Sequence, residues 1–218
     1  LTELDVGANG ISYLGIAALA DSPVLSHVTK LGLWSNHFGV RGIEVLTDSH
    51  FLSNLQDLHL SDTEMGNAGV EKLAASTHLS HITDLALGGN EIGPQGIAHL
   101  AASPHLTALK RLDLWGNQIG DVGAKALAGS SALLHLTHLE LGTNNIGDEG
   151  ALAMANSPYL AQLVQLSFYV NEIGDVGAEA LAQSPFLTRL RYLNLNSNPI
   201  GDRGRKALEP RGKHVGFD

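Results

Sequence analysis

The chain has 218 residues, a formal charge of −9 and no cysteine. The acidic balance argues against a backbone-driven nucleic-acid binder and against docking on an anionic membrane, both of which need clustered Lys and Arg. The missing cysteines exclude disulfides and thiolate metal sites; this fits the cytosol, and secreted repeat proteins can also lack cysteine. No stretch approaches the roughly 20 apolar residues of a membrane span.

Taken in chain order, one short alternation returns at a fixed step. Leu4-Asp5-Val6 is followed by Leu31-Gly32-Leu33, Leu58-His59-Leu60, Leu85-Ala86-Leu87 and Leu112-Asp113-Leu114. Leu139-Glu140-Leu141, Leu166-Ser167-Phe168 and Leu193-Asn194-Leu195 complete the series, each 27 residues after the last. The alternation has the period of a strand with one buried face. The second half of each unit reads differently. From Asp121 to Ala128, Ala124 and Leu127, with Val122 beside them, follow helical spacing. Asp121, Asp148, Asp175 and Asp202 stand where a carboxylate can cap the helix that follows. Neither element can bury its apolar face alone, so stacked units must share one core.

Each unit resembles the leucine-rich-repeat pattern L-x-x-L-x-L-x-x-N-x-L, as in the run from Leu109 to Ile119. The half from Gly120 to Ala128 resembles the ribonuclease-inhibitor-like class, and its wording is similar to bacterial members. The resemblance covers the whole chain. It implies an α/β right-handed solenoid of eight repeats, with a parallel sheet on the concave face and helices on the convex face. One domain is expected over residues 1–218, with repeats starting at 1, 28, 55, 82, 109, 136, 163 and 190 and a cap over 205–218.

Several columns have a structural explanation. Asn9, Asn36, Asn90, Asn117, Asn144, Asn171 and Asn198 should form a ladder that satisfies backbone groups where each strand ends. Thr63 interrupts it, so the third repeat should be locally looser. A glycine recurs from Gly15 to Gly204 and permits close packing at the helix start. Arg205 and Glu209 replace apolar residues in the last unit, Pro210, Gly212 and Lys213 follow, and Val215 and Phe217 are expected to add a covering strand. The first unit is as apolar as any inner one, which leads us to expect further repeats or another domain before Leu1.

Function should sit at the variable positions of the strands. Trp34, Trp115 and Tyr169 share the column after the second Leu, and such aromatics dominate binding hot spots; the alternative is that each tryptophan lies flat over a neighbouring glycine. His59, Asp113 and Glu140 share the column between the Leu positions, and Arg111 and His138 the column before them. These eight residues form the candidate partner-binding surface. Asp113 and Glu140 should be direct neighbours, the geometry of an acid/base pair or cation site, but an open sheet offers no water-excluding pocket. His27, His81 and His135 recur in alternate units, about 9.6 Å apart and too far to share a metal. No metal, cofactor, nucleic acid, membrane or small-molecule substrate is expected. The leading reading is a non-enzymatic protein-interaction module; the alternatives are a rigid spacer for an upstream domain and, remotely, a hydrolase using Asp113 and Glu140.

Overall fold

The computed structural model describes residues 1–211 and 215–216. Nine parallel strands form one sheet in strict sequence order. They are β1 (Glu3–Asp5), β2 (Lys30–Gly32), β3 (Asp57–His59), β4 (Asp84–Ala86), β5 (Arg111–Asp113), β6 (His138–Glu140), β7 (Gln165–Ser167), β8 (Tyr192–Asn194) and β9 (Val215–Gly216). Eight helices alternate with them: α1 (Tyr13–Ala20), α2 (Gly39–Asp48), α3 (Gly66–Ala75), α4 (Pro94–Ala101), α5 (Gly120–Ala128), α6 (Asp148–Ala155), α7 (Asp175–Ala182) and α8 (Asp202–Leu208). The sheet lines the concave face and the helices the convex face.

The register explains the constant step. Leu31, Leu58, Leu85, Leu112, Leu139 and Leu166 pair in an unbroken row, and each is buried. A shift of one residue would turn every Leu out of the core. On the helices the buried positions of α5 are Gly123, Ala124, Leu127 and Ala128. Val122 was grouped with the buried set by its spacing, yet it is 66% exposed. It lies on the far side of the helix, one residue before the buried stripe begins.

Three polar ladders stitch the repeats together. In the asparagine ladder, Asn171 Nδ2 donates to the carbonyls of Leu141 and Phe168, while its Oδ1 accepts from the amides of Asn144 and Ile146. At Thr63 the ladder is thinner. Its hydroxyl donates to Leu60 O at 3.0 Å, and the amide of Phe38 turns to the carbonyl of Asn36. The residue itself is fully buried. The serine ladder closes helix ends: Ser49, Ser76, Ser103, Ser130, Ser157 and Ser184 each donate to a carbonyl at the end of the preceding repeat's helix.

The aspartates form the third ladder, and here the expectation is corrected. Asp148, Asp175 and Asp202 are the first residues of their own helices, whose N-caps are glycines, and Asp121 is the second residue of α5. Their side chains serve the next repeat instead. Asp121 Oδ1 accepts from the amides of Gly147 and Gly150, Asp148 Oδ1 from Gly174 and Gly177, and Asp175 Oδ1 from Gly201 and Gly204. The free amides and the positive dipole end are those of the neighbouring helix. Asn67 does the same for Gly93 and Gly96.

The terminal device is partly as expected. β9 pairs with β8, Leu193 opposite Val215. Arg205 is half-buried, and its Nε donates to Ile200 O at 3.3 Å. Arg211 takes the serine position, its Nε donating to Ala182 O at 3.0 Å. Gly212, Lys213 and Phe217 lie outside the described residues.

At the turns leaving β1 to β8, a residue is left-handed at the same repeat position, from Ala8 (φ 54°) to Ser197 (φ 58°). Gly89 and Gly116 fill this position at no steric cost, but Val170 occupies it at φ 52°. A β-branched residue there is strained by roughly 1–2 kcal/mol. Val170 is also 38% exposed, so it gains little packing in return. Val170→Gly is therefore expected to raise stability by about 1 kcal/mol after the entropy cost of glycine. A urea titration showing a lower midpoint would contradict this.

Candidate functional site

The middle of the concave sheet forms an open trough of about 570 Å3. Arg111, Asp113, His138 and Glu140 line it, as the sequence suggested, together with Asp57, Asp84, Gln165, Ser167, Tyr192 and Asn194. Residues two apart on a strand point to the same face, so each strand contributes its first and third positions. The register sets Arg111 beside His138 and Asp113 beside Glu140. Arg111 Nε makes an ion pair with Asp84 on the preceding strand. His138 Nδ1 lies 2.8 Å from the Thr137 hydroxyl.

The two neighbouring carboxylates are turned toward the backbone. Asp113 Oδ1 accepts from the amide of Trp115 at 2.9 Å, and Glu140 Oε1 accepts from Gly142 at 2.8 Å. Asp5 and Asn194 make the equivalent bond to Gly7 and Asn196. The column therefore has a local role in shaping the bend. Burial, reinforced by Asp113, pushes the Glu140 pKa up against the pull of Ser167 and the Gly142 amide. Burial also raises Asp57, with the Asp84 charge adding to it. Among the described residues the buried Ser167 hydroxyl has no hydrogen bond of normal geometry, although it lies near enough to Glu140 to act on its charge.

These shifts have a sign that can be tested. A carboxyl whose folded pKa is raised binds its proton more readily in the folded state. Stability from this group is then present below its ordinary range, near 4.5, and is lost as pH rises through the folded value. Glu140→Gln is expected to be at least as stable as the parent at neutral pH and to lose that increment of pH dependence. Denaturant titrations of both proteins from pH 4 to 7 check it; parallel curves would show that Glu140 carries no such increment.

The aromatic candidates separate. Trp34 lies flat over Gly7, where a Cβ would stand 2.1 Å from its ring. Its Nε1 donates to Asp5 Oδ1 at 3.1 Å, and its ring stacks on His59 at 6.1 Å. His59 Nε2 is in turn 3.1 Å from the Ser61 hydroxyl. Trp34 is thus a half-buried packing residue, and His59 lines a second hollow with Glu3, Asp5 and Lys30 toward the N-terminal end. Trp115 and Tyr169 are more open, 47% and 42% exposed, although the Trp115 ring also lies against a glycine, Gly142, where a Cβ would stand 2.8 Å from its Cδ1. Tyr192, 51% exposed and lining the trough, is not among the eight sequence candidates. Its column already held Arg111 and His138, and that was the signal for it.

Among the described residues no group of three or more His, Asp or Glu side chains could hold a metal ion. No helix there is long and apolar enough to cross a membrane.

Comparison with known proteins agrees with this geometry. The family model described as Leucine Rich repeat matches residues 1–20, 51–74, 78–101, 103–128, 132–155, 166–182 and 187–208. No curated protein matches the chain. Among solved structures, an internalin from Listeria monocytogenes aligns with 100% of this chain and 68% of its own, with a TM-score of 0.55 and 24% identity. At that identity the likeness is one of fold.

Proposed function

The chain belongs to the leucine-rich-repeat family, and we propose from this premise that it is a protein-interaction module binding its partner on the concave face. A full α-helix in every unit supports placing it in the ribonuclease-inhibitor-like class. One observation carries the functional reading: the scaffold columns are buried and uniform, while the concave positions between them differ from strand to strand and stay open. Large exposed side chains flank these positions: Trp115 and Tyr169 beyond the C-terminal ends of their strands and Tyr192 at the start of β8. Val170, strained and exposed, stands beside Tyr169.

The test compares capture from source-cell lysate by the parent chain and by Trp115→Ala/Tyr169→Ala, a variant first shown by circular dichroism and its urea midpoint to remain folded. A protein retained by the parent and at least tenfold depleted with the variant is the expected result, since interface aromatics lost together cost well over 1.4 kcal/mol. Equal capture by both would move the contact off these aromatics. Capture by neither would favour a rigid spacer. Trp34→Ala should lower stability rather than alter capture, because its ring covers Gly7.

A further inference from the structure

The cations of the concave face are already matched to acids. Lys30 pairs with Glu3 at 2.8 Å, and Arg111 pairs with Asp84. Asp57, Asp113 and Glu140 belong to none of the ion pairs among the described residues, yet all three line the same trough. Asp113 and Glu140 are in-register neighbours, so their charges repel across roughly 5 Å. The Ser167 hydroxyl, beside Glu140, adds a polar group at the same place.

We infer that the trough receives a basic segment of the partner protein, with an Arg or Lys side chain set between Asp113 and Glu140. This rests on the concave face being the binding surface. A guanidinium suits the position best, because its planar fork can donate to two carboxylates at once while they keep their backbone bonds. Glu140 holds its charge against burial, and a cation seated beside it would relieve that cost. The open, elongated shape accommodates a side chain carried by a polypeptide, with Gln165 and Asn194 available to its backbone.

The test is a selection of random dodecapeptides displayed on phage against the parent chain and against Asp113→Asn/Glu140→Gln. The amides keep the oxygens that accept from Trp115 and Gly142, as Asn194 does naturally, so the fold is preserved while the charge is removed. Selected peptides should carry Arg or Lys at one fixed position. A synthetic winner should bind the variant about tenfold more weakly or worse, and its affinity for the parent should fall as salt rises. Winners without a fixed basic residue, equal binding to the variant, or no winners would overturn the inference. Ala86→Tyr, which fills the floor of the trough without changing charge, separates the two readings. Non-basic winners lost on Ala86→Tyr would leave concave-face binding standing and remove only the basic partner. Winners indifferent to Ala86→Tyr would remove both.

Discussion

Asn171→Leu should be among the most destabilising single changes in the chain, costing about 4 kcal/mol. The side chain is nearly buried and its four shorter bonds answer four backbone groups: it accepts from Asn144 and Ile146 and donates to Leu141 and Phe168, with a longer fifth bond to Tyr169 O, which Thr143 N also serves. Phe168 O keeps a second donor in Asn198 Nδ2 at 2.8 Å. The other three groups lose this partner inside the core, where each orphaned group costs roughly 1–3 kcal/mol. Leucine recovers part of this as apolar burial, which keeps the net below the sum. Asn171→Thr should cost about half as much, because a hydroxyl can keep the bond to Phe168 O and the amide of Ile146 can turn to the carbonyl of Asn144. Repeat three shows that arrangement at Thr63, with Phe38 turned to Asn36. Hydrogen exchange is the sharper readout, since a stacked array can open at one junction before it unfolds as a whole. Protection should fall first at the amides of Asn144 and Ile146. Leu and Thr variants of equal, near-parent stability would mean the ladder is a bystander to stacking driven by the leucines alone.

The leucine and asparagine columns were legible in the sequence because identical demands recur at a constant step. What a periodic sequence conceals is the partner of each recurring side chain. Asp148 stands at the start of its own helix, and the same step places the next helix start within its reach. Asn67, which fills the aspartate column and caps the next helix in the same way, shows that acceptor geometry rather than charge is what the column requires. The two tryptophans show the converse, one column with two fates. Trp34 turns back toward the preceding strand, where the Asp5 carboxylate holds the indole N–H over Gly7. The corresponding residue for Trp115 is Ala86, whose side chain can accept nothing, and that ring lies instead against Gly142 of the following repeat. The difference lies 29 residues away along the chain and one strand away in space, so it is visible only once the register is known.

Gly177→Ala is the second large effect, and its sign opposes the ordinary rule. In a typical helix interior this change gains up to about 1 kcal/mol. Here the new Cβ would stand 2.8 Å from Asp148 Oδ1, 2.8 Å from Ile173 Cγ2 and 3.0 Å from Ala151 Cβ. All three are closer than packed atoms allow, and the first is the carboxylate capping α7. Overpacking of this kind costs about 1–3 kcal/mol, and displacing the cap adds about 1 more. We expect a net loss of about 2–3 kcal/mol. Gly129→Ala is the control: its Cβ would meet nothing nearer than 3.5 Å, so the change should be neutral or slightly favourable. A double-mutant cycle then isolates the carboxylate. In an Asp148→Ala background the cap is already gone and one of the three contacts with it, so Gly177→Ala should cost less by about 1 kcal/mol. Additive costs would mean that Ile173 and Ala151 alone forbid the methyl. A stabilised Gly177→Ala would mean that the helices can move apart without loss, and that the glycine column does not hold the convex layer at its spacing.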